Sequence, residues 1–137
     1  MLYTFAANYA PSSGGASPTA EEEATARQFL DAYGKSLPCR RCRESFRENR
    51  ARAKARFRGG YAEVFSSRDS LFAFAYALHG EVTRMLGKGS LSFSLEEARR
   101  TIEALRARDC SEEGCNEPTS RTRLRLCFEE EEDYGEE

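Results

Sequence analysis

Apolar residues recur along this chain at helical rather than alternating spacing. The clearest stripe runs through Leu71, Phe74, Ala75, Leu78, Val82, Met85 and Leu86, at offsets of three and four that share one helix face. Ser67 precedes it as an N-cap candidate and Gly87 follows as a C-cap candidate. A second stripe, Ala26, Phe29, Leu30 and Tyr33, is opened by Thr19 and Glu22 in the form of a capping box, with Glu21 to Glu23 at the positive end of the helix dipole. Gly34 is expected to stop that helix. Leu95, Ala98, Ile102 and Leu105 form a further amphipathic stripe behind a Ser94/Glu97 capping box, and this helix is expected to end near Arg108. A short first helix is expected within Leu2 to Tyr9, before the Pro-, Gly- and Ser-rich loop at 11–18. Another should open at Pro38 and run to about Phe57, where Gly59 and Gly60 break it. With no credible alternating strand and no internal repeat, the fold class is all-α, a compact bundle of four to five helices. Two segments are expected: a helical domain over 1–109 and a flexible, cysteine-containing acidic tail over 110–137.

Composition supports one core. The chain has 137 residues, 39% of them hydrophobic and 32% charged, so it can fold without a metal or disulfide to hold it together. No apolar run reaches the roughly 18 residues of a membrane-spanning helix, and the first residues lack a basic, apolar leader, so neither a membrane protein nor a conventionally secreted one is expected. The formal charge of -2 conceals an asymmetry: nine Arg and Lys lie between Arg40 and Arg58, while acids crowd Glu129 to Asp133 and the final Glu136 and Glu137. The basic stretch reads first as a solvated helix face. Nucleic-acid binding is disfavoured because no exposed aromatics are interleaved with it.

Cysteine changes the picture. Five occur, at Cys39, Cys42, Cys110, Cys115 and Cys127, an odd number without a secretory leader, which points to redox or metal chemistry rather than a disulfide framework. Pro38-Cys39-Arg40-Arg41-Cys42-Arg43 puts two thiols three residues apart at a helix start, within disulfide reach, and the helix N-terminus and flanking arginines favour a thiolate. Half a zinc site has the same spacing. Zinc would need two more ligands, yet His79 lies mid-helix and Cys110 and Cys115 are separated by four residues without a second CxxC, so no metal ligand set is assigned.

The segment His79-Gly80-Glu81-Val82-Thr83-Arg84-Met85-Leu86-Gly87-Lys88, following the Pro-Cys-x-x-Cys helix, resembles the His-Asn-x-Val-Asn-x-x-Leu-Gly-Lys motif of the Erv/ALR-type FAD-dependent sulfhydryl oxidases. Leu2, Ala6 and Tyr9 are also in register with that family's first flavin-binding helix, and the resemblance spans roughly residues 2 to 91. The chain departs from the pattern at Gly80 and Thr83, which stand for two Asn, at Tyr3, which stands for His, and at Phe74, where Trp is common. Short chains with unusual tails are similar to the oxidases of large DNA viruses.

The resemblance implies a helical bundle holding FAD, a homodimer, and oxidation of thiol-containing client proteins or a small redox carrier protein, with O2 as the electron acceptor and H2O2 as product. It implies that Cys42 is the flavin-proximal thiol and Cys39 the interchange thiol, and that Tyr3, Tyr9, Phe74, His79, Val82, Thr83, Leu86 and Lys88 occupy cofactor-contacting positions, Lys88 near the pyrophosphate or ribose. Cys110 and Cys115 become candidates for a shuttle disulfide that relays electrons to the CxxC. Cys127 is left free or bonded between chains, and its pairing with Cys110 or Cys115 is equally allowed. The implied location is cytoplasmic, in a host cytoplasm or virion, with the mitochondrial intermembrane space as the alternative. A non-catalytic bundle of the same ancestry, with lost or weak FAD binding, and a zinc-binding adaptor are the competing expectations.

Overall fold

The computed structural model describes residues 2–105 and the backbone of residues 110–111 and 114–115. Among these, six α-helices follow in chain order: α1 (Leu2–Ala7), α2 (Ala20–Ser36), α3 (Arg40–Lys54), α4 (Tyr61–Val64), α5 (Arg68–Met85) and α6 (Leu95–Glu103). A 3-10 turn at Pro11–Ser13 sits within the expected loop. The all-α fold class is thus what the chain adopts. The helical body extends to Ala98, and a second unit begins at Arg99. In that second unit, β1 (Cys110–Ser111) and β2 (Gly114–Cys115) form a two-residue antiparallel ladder in which Cys110 is opposite Cys115. Strands this short carry no alternation for a sequence pattern to reveal. The last helix ends at Glu103, short of the expected end near Arg108, because residues 104 and 105 already form a turn. The tail from 116 onward, with Cys127, lies outside the described residues.

Local chemistry sets the helix starts. Thr19 Oγ1 accepts the Glu22 N–H at 3.1 Å while the Glu22 carboxylate accepts the Thr19 N–H at 2.8 Å, which closes the capping box of α2. The same carboxylate also accepts from the Ser12 N–H and hydroxyl, so it ties the 3-10 turn to α2. These bonds, the Thr19 N–H foremost, hold the Glu22 carboxyl below its ordinary pKa. Ser67 Oγ accepts the Ser70 N–H at the start of α5, and Ser94 and Glu97 form the reciprocal pair ahead of α6. At the other end of α5, the Gly87 N–H bonds the Arg84 carbonyl and the Lys88 N–H bonds the Thr83 carbonyl. With Gly87 at φ +73°, this is a Schellman motif, and it explains the Leu86-Gly87-Lys88 sequence in backbone terms.

The axis of the body is α5, against which both α1 and α3 pack. Leu71, Phe74, Ala75 and Leu78 are buried on one stripe, with Phe72 and Ala77 buried beside them, so the helix is enclosed over most of its circumference. Each such fully buried large side chain contributes about 1.5–3 kcal/mol relative to exposure. Glu81 is the polar exception. Its carboxylate is buried and clamped by Arg56 at 2.7 Å and Arg84 at 2.9 Å, fastening the chain just beyond α3 to α5.

Three further sequence expectations are corrected. Gly34 does not end α2, which continues to Ser36. A Cβ at Gly34 would lie 2.6 Å from the Phe46 ring, so this glycine lets α3 approach closely. Helix α3 ends at Lys54 rather than near Phe57, with Ala55 as its cap. Finally, the four residues of α4 form a separate helix after Gly60 at φ +60°. Tyr61 on α4 lies beneath the Arg50 guanidinium at 4.9 Å and the Lys54 ammonium at 5.0 Å, which links the basic face of α3 to an aromatic cluster with Phe65 and Phe74. No helix among the described residues is long and apolar enough to cross a membrane.

Candidate active site

Cys39 and Cys42 are joined by a disulfide with Cα atoms 5.1 Å apart. Cys39 is the N-cap of α3, a half-turn later in the chain than Pro38 suggested, and its Sγ accepts the Cys42 N–H at 2.9 Å. That bond fills one of the orphan donors of a helix start with sulfur. In the dithiol state the same N–H and the helix dipole favour a thiolate at Cys39. Both cysteines are exposed. Arg43 reaches back to donate to the Leu37 carbonyl at 2.8 Å, fixing the approach to the cap, and the Arg40 guanidinium is held by Glu44 at 2.8 Å.

The disulfide opens onto a cleft of about 1040 Å³ among α1, α3 and α5. From α3 the cleft receives Cys42, Ser45, Phe46 and Asn49, at offsets of three, four and seven along one face. From α5 it receives Ala75, Leu78, His79, Val82 and Met85 at the same helical spacing, followed by Leu86. Leu2 and Tyr3 of α1 close the end. The Tyr3 hydroxyl lies 3.0 Å from Nδ1 of His79. Burial, reinforced by the neighbouring Tyr76, pushes the Tyr3 phenol up to about 12, so it stays a neutral hydroxyl.

Of the residues carried over from the motif, the cleft brings together Cys39, Cys42, Tyr3, His79, Val82 and Leu86. Four others are placed elsewhere. Tyr9 is buried and donates to the Phe65 carbonyl at 2.7 Å, while Phe74 of α5 is 1% exposed in the core, edge-on to the Tyr61 ring. Thr83 and Lys88 are outside the cleft lining, and Lys88 is exposed beyond the Schellman turn. The side chains of Cys110 and Cys115 lie outside the described residues. Arg41, expected beside the thiols, lines the cleft, and so do Ser45 and Asn49, which the motifs do not point to. Projecting the α3 face forward from Cys42 would have found Ser45 and Asn49. Asn49 is 1% exposed, and among the described residues its Nδ2 meets only the weak acceptor Sδ of Met85, at 3.4 Å.

No curated protein and no solved structure gives a match. The sequence model of one family does, and it covers residues 1–103, which contain the CxxC helix and both other walls of the cleft. On that match the chain belongs to the Erv1/Alr family.

Proposed function

We propose that this protein is an FAD-dependent sulfhydryl oxidase that converts client dithiols to disulfides, with O2 as final acceptor and H2O2 as product. One observation carries the proposal: the exposed Cys39–Cys42 disulfide stands at the mouth of a large, mainly apolar cleft whose opposite wall is the His79 to Leu86 segment. At about 1040 Å³ the cleft is at the top of the usual range of roughly 300–1,000 Å³ for ligand sites, as a dinucleotide requires. Its residues suit the group: aliphatic faces from Leu2, Val82 and Leu86, an imidazole from His79, and a guanidinium from Arg41. These residues, with Tyr3, would hold FAD. When bound, FAD supplies two-electron chemistry, taking the electron pair of the reduced cysteines and passing it to O2.

The chain's own residues perform the exchange. A client thiolate attacks Sγ of Cys39, the Cys39–Cys42 bond breaks, and Cys42 leaves as a thiolate in the first turn of α3, where backbone N–H groups and Arg41 offset its charge. The client's second thiolate then attacks its own mixed-disulfide sulfur and releases Cys39, whose charge is met by the Cys42 N–H. The client has lost two electrons and two protons, and the CxxC has gained them. A small dithiol makes this attack itself; for a bulky protein client, Cys110 and Cys115, opposed in the β1–β2 ladder, form the proposed relay dithiol that takes the client's electrons and then attacks Cys39 in the same way.

The visible spectrum of the purified protein, followed after dithiol is added in air with peroxide detection, tests this. The expected result is a flavin band that bleaches and recovers while peroxide accumulates, abolished by Cys39→Ser and by Cys42→Ser. A folded protein that stays colourless after incubation with FAD overturns it and leaves a non-catalytic bundle.

A further inference from the structure

Helix α3 presents two faces of different chemistry. Cys42, Ser45 and Asn49 face the cleft. Cys39, Arg43, Arg47 and Arg50 follow one another at offsets of four, four and three, so a basic stripe descends from the interchange cysteine on a different face. Arg43, Arg47 and Arg50 line a groove of about 510 Å³ between α2 and α3, together with Lys35 and Asp31 of α2. Four cations thus stand against one carboxylate, and Asp31 is already engaged by Arg50. Lys35 and Arg47 make no ion pair with any described residue. A groove with such an excess of one charge focuses field on whatever approaches the adjoining disulfide.

We propose that this groove is the client-docking site and that it selects dithiols flanked by acidic residues. The proposal rests on Cys39 being the interchange thiol. The helix rise sets the spacing: Arg43 and Arg47 lie about 6 and 12 Å along α3 from Cys39 at 1.5 Å per residue. An extended peptide covers those distances in about two to four residues at roughly 3.3 Å each. The acidic positions are therefore two to four residues from the attacking cysteine. The sequence Cys110-Ser111-Glu112-Glu113-Gly114-Cys115 has that composition, with glutamates two and three residues from each cysteine, and it supplies a probe. In the exchange, two peptide thiols become one disulfide while the Cys39–Cys42 disulfide becomes two thiols, so electrons and protons balance without another reactant.

The experiment measures anaerobic reduction of the Cys39–Cys42 disulfide in the full chain by three synthetic peptides: Cys-Ser-Glu-Glu-Gly-Cys and its Gln-Gln and Lys-Lys counterparts. Because acidic neighbours also depress thiolate content, each rate is divided by that of the same peptide with a small neutral disulfide. At low salt the Glu peptide is expected to react about tenfold faster than the Gln peptide, the Lys peptide more slowly still, and the gap should close at high salt. Lys35→Glu with Arg47→Glu should reverse the order, and the milder Lys35→Gln with Arg47→Gln should flatten it should the reversal variant not fold. Equal normalised rates in the unaltered protein would overturn the selectivity alone. A disulfide that no peptide reduces would overturn the exchange role of Cys39 as well, and neither result depends on whether flavin binds.

Discussion

The Tyr3 hydroxyl meets Nδ1 of His79 at 3.0 Å, joining the first helix to the fifth at the wall of the cleft. A phenol is the stronger donor and an unprotonated ring nitrogen the stronger acceptor, so the expected arrangement has Tyr3 donating to Nδ1 and the ring hydrogen at Nε2. His79 is also flanked edge-on by Tyr3 and tilted against Phe93, which fixes the ring. Tyr3→Phe is expected to remove the tautomer preference and to cost about 0.5–1.5 kcal/mol of stability. As the only histidine in the chain, His79 gives an unambiguous nitrogen NMR signal. Identical ring-nitrogen shifts in both proteins would refute the assignment.

Two glycines in helices should respond to alanine with opposite signs. At Gly34 an added Cβ would meet the Phe46 ring at 2.6 Å, and that ring is packed between helices, so Gly34→Ala is expected to destabilise by about 1–3 kcal/mol. At Gly80 the nearest atom to an added Cβ is Leu91 Cδ1 at 4.0 Å, so Gly80→Ala should gain about 0.5–1 kcal/mol from helix propensity. Denaturant midpoints of the two variants check both signs.

These glycines also show where sequence pattern carries information. The capping pairs Thr19/Glu22 and Ser94/Glu97, the Ser67 cap and the α5 stripe were legible because the partners are three or four residues apart. In the sequence Gly34 resembles a helix stop because its use, contact with Phe46, is tertiary. Helix α4 is too short for a period. Cys42, His79, Val82 and Leu86 of the motifs line the cleft, whereas Tyr9, in register with the first motif helix, and Phe74, at a position where that pattern commonly has Trp, are placed in the core. Asn49 and Glu81 carry no sequence signal because a polar residue on a charged helix looks solvated, and only packing of α3 on α5 buries them.

Glu81 gives a pH dependence. Hydrogen bonds from Arg84 and then Arg56 hold its carboxyl below the ordinary range, against the opposing effect of burial. The unfolded chain therefore takes up the proton first as pH falls. The stability contributed is complete above the unfolded value near 4.3 and is lost as pH drops through the depressed folded value. Glu81→Gln should lower stability at neutral pH by about 1–3 kcal/mol and flatten the acid limb of the stability curve. Urea unfolding from pH 3 to 7 measures it, and parallel acid limbs in the two proteins would refute it.

The last prediction separates relay from exchange. Cys110 and Cys115 are directly opposed in the β1–β2 ladder, whereas Cys39 and Cys42 flank the cleft. If the distal pair passes electrons from a bulky client to the CxxC, a small dithiol that reaches Cys39 unaided does not need it. Cys110→Ser with Cys115→Ser is therefore expected to leave peroxide production from a small dithiol within about twofold of the unaltered protein, while oxidation of a reduced protein client falls by about tenfold or more. Loss of both activities would place the distal cysteines in structural support instead. Retention of both would assign the whole exchange to Cys39 and Cys42.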